Sequence, residues 1–328
     1  MKRFRWAMAF AMAVSATAFA EDSKQANQSK IKLENVKENK NKISEDIDEE
    51  ITNAKLRAES GSKSRWSASF TGSYYGASIE KPLDKDRPNP SREPLPPQVR
   101  MDGTIGARYR FNKRNSLAFG TGYTIQRPLQ EAKRGNLSDP YASFNNASKI
   151  GPVQNIAQAV IGIPTSADAL TVGDIINFAL VDTMMYDFNG SRLSVGLATE
   201  LDYNFYRDNK NDIVSSPTMQ ARPAGSYQDD YGFAIYPMVE YAFSDKVQFR
   251  TVFRPWNFAH NVLDAGWTLV KRPWTQSVGI GLAVTRDIYL YPNFQFAWET
   301  WRGDDFNFFR KNTRSTSTVG LAATVNLF

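Results

Sequence analysis

From Arg65 onward the residues alternate, and that period of two constrains the fold more than anything else in the chain. In 66–76, Trp66, Ala68, Phe70, Gly72 and Tyr74 alternate with Ser67, Ser69, Thr71 and Ser73. In 99–111, Val99, Met101, Gly103, Ile105, Ala107, Tyr109 and Phe111 alternate with Arg100, Asp102, Thr104, Gly106, Arg108 and Arg110. Residues 112–115 read as a tight turn, and Leu117, Phe119, Thr121, Tyr123 and Ile125 begin the next run. The figure recurs over 193–205, 231–243, 247–254, 274–284, 288–298 and 313–328. Alternation of this kind puts each set on its own face of a strand.

A soluble β-sandwich also alternates, but long charged residues dominate its polar face. Here the polar face is mostly Gly, Ser, Thr and Ala, and the apolar runs end in Tyr, Phe and Trp. Small and polar groups inward, with aromatics at both interfaces, are the marks of a transmembrane barrel. Most runs reach the ~9–11 residues that a tilted strand needs to cross a bilayer. In lipid only helices and closed barrels satisfy every backbone group. The connections alternate too. Residues 112–115, 189–192, 244–246 and 285–287 are short, whereas 79–97, 127–177, 206–228, 255–273 and 300–312 are long. Short periplasmic turns and long outer loops have this rhythm. The expected fold is therefore an all-β transmembrane antiparallel barrel of about ten strands.

Twelve strands is the alternative, because 127–177 is long for a structureless loop. Thr165, three residues before Asp168, reads as a helix start, and the expectation here is a helical loop rather than two more strands. The run at 178–188 is ambiguous. Its more apolar phase (Phe178, Leu180, Met184, Tyr186, Phe188) carries Asp182 toward lipid, which a bulge or a rim position would relieve.

The N-terminus reads as an address. Lys2, Arg3 and Arg5 precede an apolar stretch, Trp6 to Phe19, and Ala18-Phe19-Ala20 fits a small-x-small cleavage site. Residues 1–20 are expected to be a signal peptide. Residues 21–63 contain no aromatic and no proline, with ten acids against nine bases. Ile43, Ile47, Ile51 and Ala54 lie on one helical stripe. This segment is expected to be a charged, partly helical periplasmic piece, helical over 42–59, with the barrel occupying 64–328.

Composition narrows the chemistry. No cysteine excludes disulfides and thiolate sites, and a single histidine excludes a multi-histidine metal site. The formal charge of +6 loses three bases with residues 1–20 and falls to +3, too weak for a nucleic-acid partner. No Gly-rich phosphate loop or calcium-spaced carboxylate set is visible, so no cofactor or metal is expected. His260, expected in a long loop, lacks the ordered nucleophile–base spacing of a catalytic site, and no enzyme is expected. The inward-facing charges are Arg100, Asp102, Arg108, Arg110, Glu200, Asp202, Glu240, Arg250, Arg254 and Glu299. They make either a charged constriction or an ion-pair network filling a narrow lumen.

The signal peptide, the alternating runs over 65–328 and the terminal Phe328 together resemble the outer-membrane β-barrel proteins of double-membraned bacteria. A terminal Phe on an alternating strand is similar to the assembly signal of that class. One departure stands out: Asn326, Thr324 and Ala322 share its phase, while Leu327, Val325 and Ala323 hold the apolar one. The resemblance implies outer-membrane lipid, periplasmic chaperones and the barrel-insertion machinery as partners. It carries no motif of a particular porin, adhesin or enzyme. The expected role is a small low-conductance pore or a structural surface barrel, with an adhesin or receptor binding an extracellular ligand through its long loops as the alternative.

Overall fold

The computed structural model describes residues 51–88, 98–129, 134–207, 212–215, 222–262, 269–271, 274–298 and 317–327. They belong to one compact unit, Lys40–Phe328. The other unit, Met1–Asn39, lies outside the described residues, and so do the expected signal peptide, Glu299 and Phe328.

Among the described residues, twelve strands pair in sequence into one closed antiparallel ring. They are β1 (Trp66–Ser78), β2 (Arg100–Arg110), β3 (Asn115–Gln126), β4 (Arg134–Ile150), β5 (Val153–Gly162), β6 (Asp174–Asp187), β7 (Leu193–Tyr206) and β8 (Asp229–Ala242). Then come β9 (Val247–Arg254 and Trp256–Asn261), β10 (Leu269–Lys271 and Trp274–Ala283), β11 (Ile288–Trp298) and β12 (Thr318–Leu327). β9 breaks at Pro255, which has no N–H to give to the ladder. β12 returns to β1, with Ala68 opposite Leu327 and Tyr74 opposite Leu321, so no edge strand is left unpaired.

The alternation resolves into two faces. Ile105, Phe111, Phe119, Leu201, Val239, Phe294 and Leu321 are exposed on the outer wall. Arg110, Ser116, Glu240, Arg250 and Asn326 are buried on the inner one. Aromatic clusters mark both ends of the outer wall. Trp66, Tyr109 and Phe111 sit at the short-turn end, with Tyr186–Phe188 and Tyr241–Phe243. Phe178, Tyr203 and Phe205 sit at the other, with Phe233–Phe258. An apolar band between two aromatic girdles is how a barrel meets a bilayer. By the same rule the short turns face the periplasm.

Local chemistry makes those turns. The Asn112 side chain accepts from the backbone N–H of Arg114 (2.9 Å) and of Asn115 (2.8 Å), an Asx turn that closes the β2–β3 hairpin. Ser244 accepts from Lys246 and Val247 in the same manner.

The count of ten gives way to the alternative, twelve. The helical loop expected over 127–177 is largely the hairpin β4–β5, joined through Gly151 at φ 59°, a left-handed conformation suited to glycine. A short helix, α2 (Ala167–Thr171), does follow, but Ser166 caps it rather than Thr165. Asp182 finds neither form of relief: the β5–β6 register is unbroken around it, and the one irregularity of β6 against β7 lies at Asp174–Ile176.

The buried core lies inside the ring. Ile51 and Leu56 pack with Ala147, Ile156, Met185 and Met238. Ala58 packs with Tyr289 and Tyr291. So the end of the segment expected to lie in the periplasm, including α1 (Ala54–Glu59), is inserted into the barrel. The observed helix covers only the last part of the expected 42–59; residues 42–50 lie outside the described ones.

Candidate functional site

Residues 51–62 form a plug inside the short-turn end of the lumen, and its geometry begins with Asn53. The Asn53 side chain accepts from the N–H of Lys55 and of Leu56, both at 3.1 Å, and so caps the start of α1. Its amide donates to Glu240 Oε2 at 2.6 Å. Gln154 of β5 secures the preceding backbone: its Oε1 accepts from Thr52 N–H (2.7 Å) and Asn53 N–H (2.9 Å). Gln154 Nε2 donates to Asp187.

The other end of α1 presents carbonyls with no helical partner, which need donors from elsewhere. The wall supplies them. Asn326 Nδ2 donates to Ala58 O at 2.6 Å, and Arg108 Nη1 to Glu59 O at 2.7 Å. Arg110 Nη2 donates to Ser60 O at 2.7 Å and to Ser62 O at 2.9 Å. Arg286 donates to Gly61 O. Hydrogen bonds from charged donors are the stronger kind. Cations at a helix C-terminus also match its dipole, modestly for so short a helix.

Glu240 and Arg250 form an ion pair beside the plug, at 2 % and 4 % exposure. The Arg250 guanidinium lies over the Tyr291 ring, 5.6 Å from its centroid. Lys55 pairs with Glu59. Burial, and then the Arg250 charge, hold the Lys55 ammonium below the usual lysine range, against the pull of Glu59 and Glu240. Between the plug and the wall a cavity of about 420 Å³ remains, lined by Thr52, Asn53, Arg57, Asp187, Arg192 and Gln248.

The expected ring of inward charges therefore splits into two layers. Arg108, Arg110, Glu240 and Arg250 form the inner layer, and it grips the plug. Arg100, Asp102, Glu200, Asp202 and Arg254 form the layer toward the long loops. There Arg100 pairs with Asp102 at 2.7 Å and lies 5.2 Å from the Tyr75 ring centroid. Arg254 lies over Tyr236 at 4.6 Å and 3.9 Å from Glu200, to which the Tyr236 hydroxyl donates at 2.6 Å. The Asp202 carboxylate sits against Gly232, within 3 Å of where a Cβ would stand. In a ring of twelve, β2 and β8 lie six strands apart, so Arg100 and Asp102 face the Glu200–Tyr236–Arg254 group across the lumen. Glu299 lies outside the described residues.

His260 is in strand β9, not in a loop. It stacks on Tyr231 with ring centroids 4.7 Å apart, and its Nδ1 is 2.6 Å from Asp230 Oδ1. Sequence reasoning missed Asn53, Gln154, Arg286 and Asn326. Asn326 left a trace, as the residue that broke the expected apolar phase before Phe328.

Gly61 controls where the chain leaves the plug. Its φ is 88°, and a Cβ there would stand 2.8 Å from Arg108 Nη1. Gly61→Ala is expected to loosen the plug by about 1–2 kcal/mol, read as faster proteolysis of the N-terminal segment while the barrel stays folded.

No family model and no curated protein matches the sequence. Among solved structures, a NanC porin is 10% identical, with 80% of this chain and all of that chain covered at a TM-score of 0.42. A Salmonella typhi OmpF in complex with daunomycin is 7% identical, with 82% of this chain and 99% of that chain covered at a TM-score of 0.35. The closed wall, its apolar exterior and its aromatic girdles make this chain an outer-membrane β-barrel protein.

Proposed function

We propose that this barrel is a small, low-conductance pore, without enzymatic activity, kept nearly shut at its periplasmic end by residues 51–62. The observation that carries the reading is the chemistry of the seal. Arg108 and Arg110 hold the plug through backbone carbonyls, and Gln154, Glu240 and Asn326 add further polar contacts. Such bonds can be exchanged for water, and a polar cavity already adjoins them. A structural barrel needs no insert of this kind. Eight strands leave room only for side chains, whereas 16–18 leave an aqueous channel. Twelve with an insert lies between, which suits ions and small solutes.

The outer layer of charges is the expected selectivity element. Single-channel recording of the folded mature chain in a planar bilayer tests the reading. Small, discrete steps are expected, and Arg254→Gln is expected to shift the cation-to-anion permeability ratio toward cations by about threefold, the scale of one partly screened charge. Silence from a barrel that still shows a heat-dependent gel shift would overturn the pore.

A further inference from the structure

We infer that the outer mouth of the lumen carries a subsite for a small organic oxyanion, a carboxylate or a phosphate ester, formed by Arg87 and Arg100 around the ring of Tyr75. Arg87 belongs to the long connection between β1 and β2, not to the wall. Its guanidinium carbon lies 5.2 Å from the centroid of the Tyr75 ring, and that of Arg100 lies 5.2 Å from the same centroid. Tyr75 and Arg100 are register partners, so both face the lumen. The connection therefore turns back over the mouth and brings a second guanidinium to a ring that already holds one.

The backbone holds Arg87 in this place. Asp86 forms a β-bridge with Gln98, and Val99 N–H donates to Lys85 O at 3.1 Å. The Asp86 carboxylate accepts from Arg127 Nη2 at 3.2 Å. The residue before Arg87 is thus fixed to the start of β2 and the end of β3, which lowers the ordering cost of binding.

The charges at this corner do not balance. Asp86 is engaged by Arg127, and Asp102 by Arg100 at 2.7 Å. Among the described residues Arg87 pairs with no carboxylate, its side chain makes no hydrogen bond, and its Nε is buried without a partner. Burial, and then the repulsion of Arg100, disfavour its charge, against weaker support from Tyr75 and Asp102. Arginine does not give up its proton, so an incoming anion is what relieves the strain between the two cations. Arg87 is half-buried and Arg100 exposed, which leaves both within reach of a solute in the mouth. The planar guanidinium fork matches the two oxygens of a carboxylate or phosphate. The inference rests on the pore reading for passage of such a solute, but not for its binding.

The test compares glucuronate and glucose 6-phosphate with uncharged glucose, titrated against the folded mature protein in detergent and read by saturation-transfer NMR. Each acid is expected to bind about tenfold more tightly than glucose, and Arg87→Gln is expected to remove about that factor, the scale of one charge-assisted hydrogen bond. Lys149→Gln, at the exposed β4–β5 turn, changes the net charge equally and is expected to leave binding as it was. The heat-dependent gel shift verifies that each variant is folded. The tighter of the two acids sets the oxyanion that the site prefers. Equal affinities for the acids and glucose would overturn the inference, as would Arg87→Gln binding like the parent, or Lys149→Gln losing as much. In a planar bilayer the same acids are expected to interrupt the current of the parent and not of Arg87→Gln. A silent barrel that still binds them would overturn the pore and keep the subsite, whereas a conducting barrel that does not bind them would keep the pore and remove the subsite.

Discussion

Deleting residues 51–62 is expected to raise single-channel conductance by about tenfold, toward that of an unobstructed twelve-stranded lumen. The wall does not need the plug to close: β1 pairs with β2 on one side and β12 on the other through its own backbone. What the deletion removes is the apolar filling of Ile51, Leu56 and Ala58. What it leaves is a rim of Arg108, Arg110, Gln154, Glu240, Arg286 and Asn326, all able to bind water. Arg108→Ala combined with Arg110→Ala is expected to give a weaker version, with brief openings, since the plug would keep its bonds to Gln154, Glu240 and Asn326. Planar-bilayer recording and swelling of liposomes in small sugars measure both. If the deletion leaves conductance unchanged in a folded barrel, the obstruction lies among the long loops and the gating role of the plug is wrong.

Glu240→Ala is expected to destabilise the folded barrel by about 3–5 kcal/mol, the usual consequence of removing one partner of a buried ion pair. Arg250 would keep its charge at 4 % exposure, facing the plug without its carboxylate. The Asn53 amide would lose its acceptor as well. Replacing both partners together, Glu240→Leu with Arg250→Met, is expected to recover most of that loss, because no isolated charge remains and the Met238–Ile156 core gains apolar neighbours. Urea midpoints followed by the heat-dependent gel shift separate the two. A single and a double variant of equal stability would mean that the pair is hydrated and that burial plays little part.

The wall was largely legible in the sequence because lipid enforces a simple rule, apolar out and polar in. Ile105, Phe119 and Leu321 obey it, and so do Arg108, Arg110 and Asn326 on the other face. The rule fails where a strand has something other than lipid outside or water inside. β5 turns Ile156 inward, onto the Ile51–Leu56 plug core, while its outer face carries Asn155 and Ala157. Contrast between its faces is lost, so β4 and β5 read as a loop; the Gly151-Pro152 pair, a turn signal between two strands, was the clue that remained. The plug was half visible. Ile51 and Ala54 showed as a stripe, too thin for a stable free helix, and the apolar partners they needed were distributed over β4, β5, β6 and β8. Of the charged residues, position along each strand was readable but layer was not. Arg110 and Arg100 look alike in the sequence, and only the plug's location distinguishes a residue that seals from one that selects.

The hydrogen bond from Asn326 to Ala58 links residues 268 positions apart. Contacts so distant in sequence form late, after the loop between them has been organised. Arg286 and Asn326 belong to the C-terminal part of the chain, and without both in place the carbonyls of residues 58–61 lack part of their cradle. The stopper is thus held from both ends of the chain: a truncation that removed the final strand would open the ring and also take away part of the seat of residues 58–61.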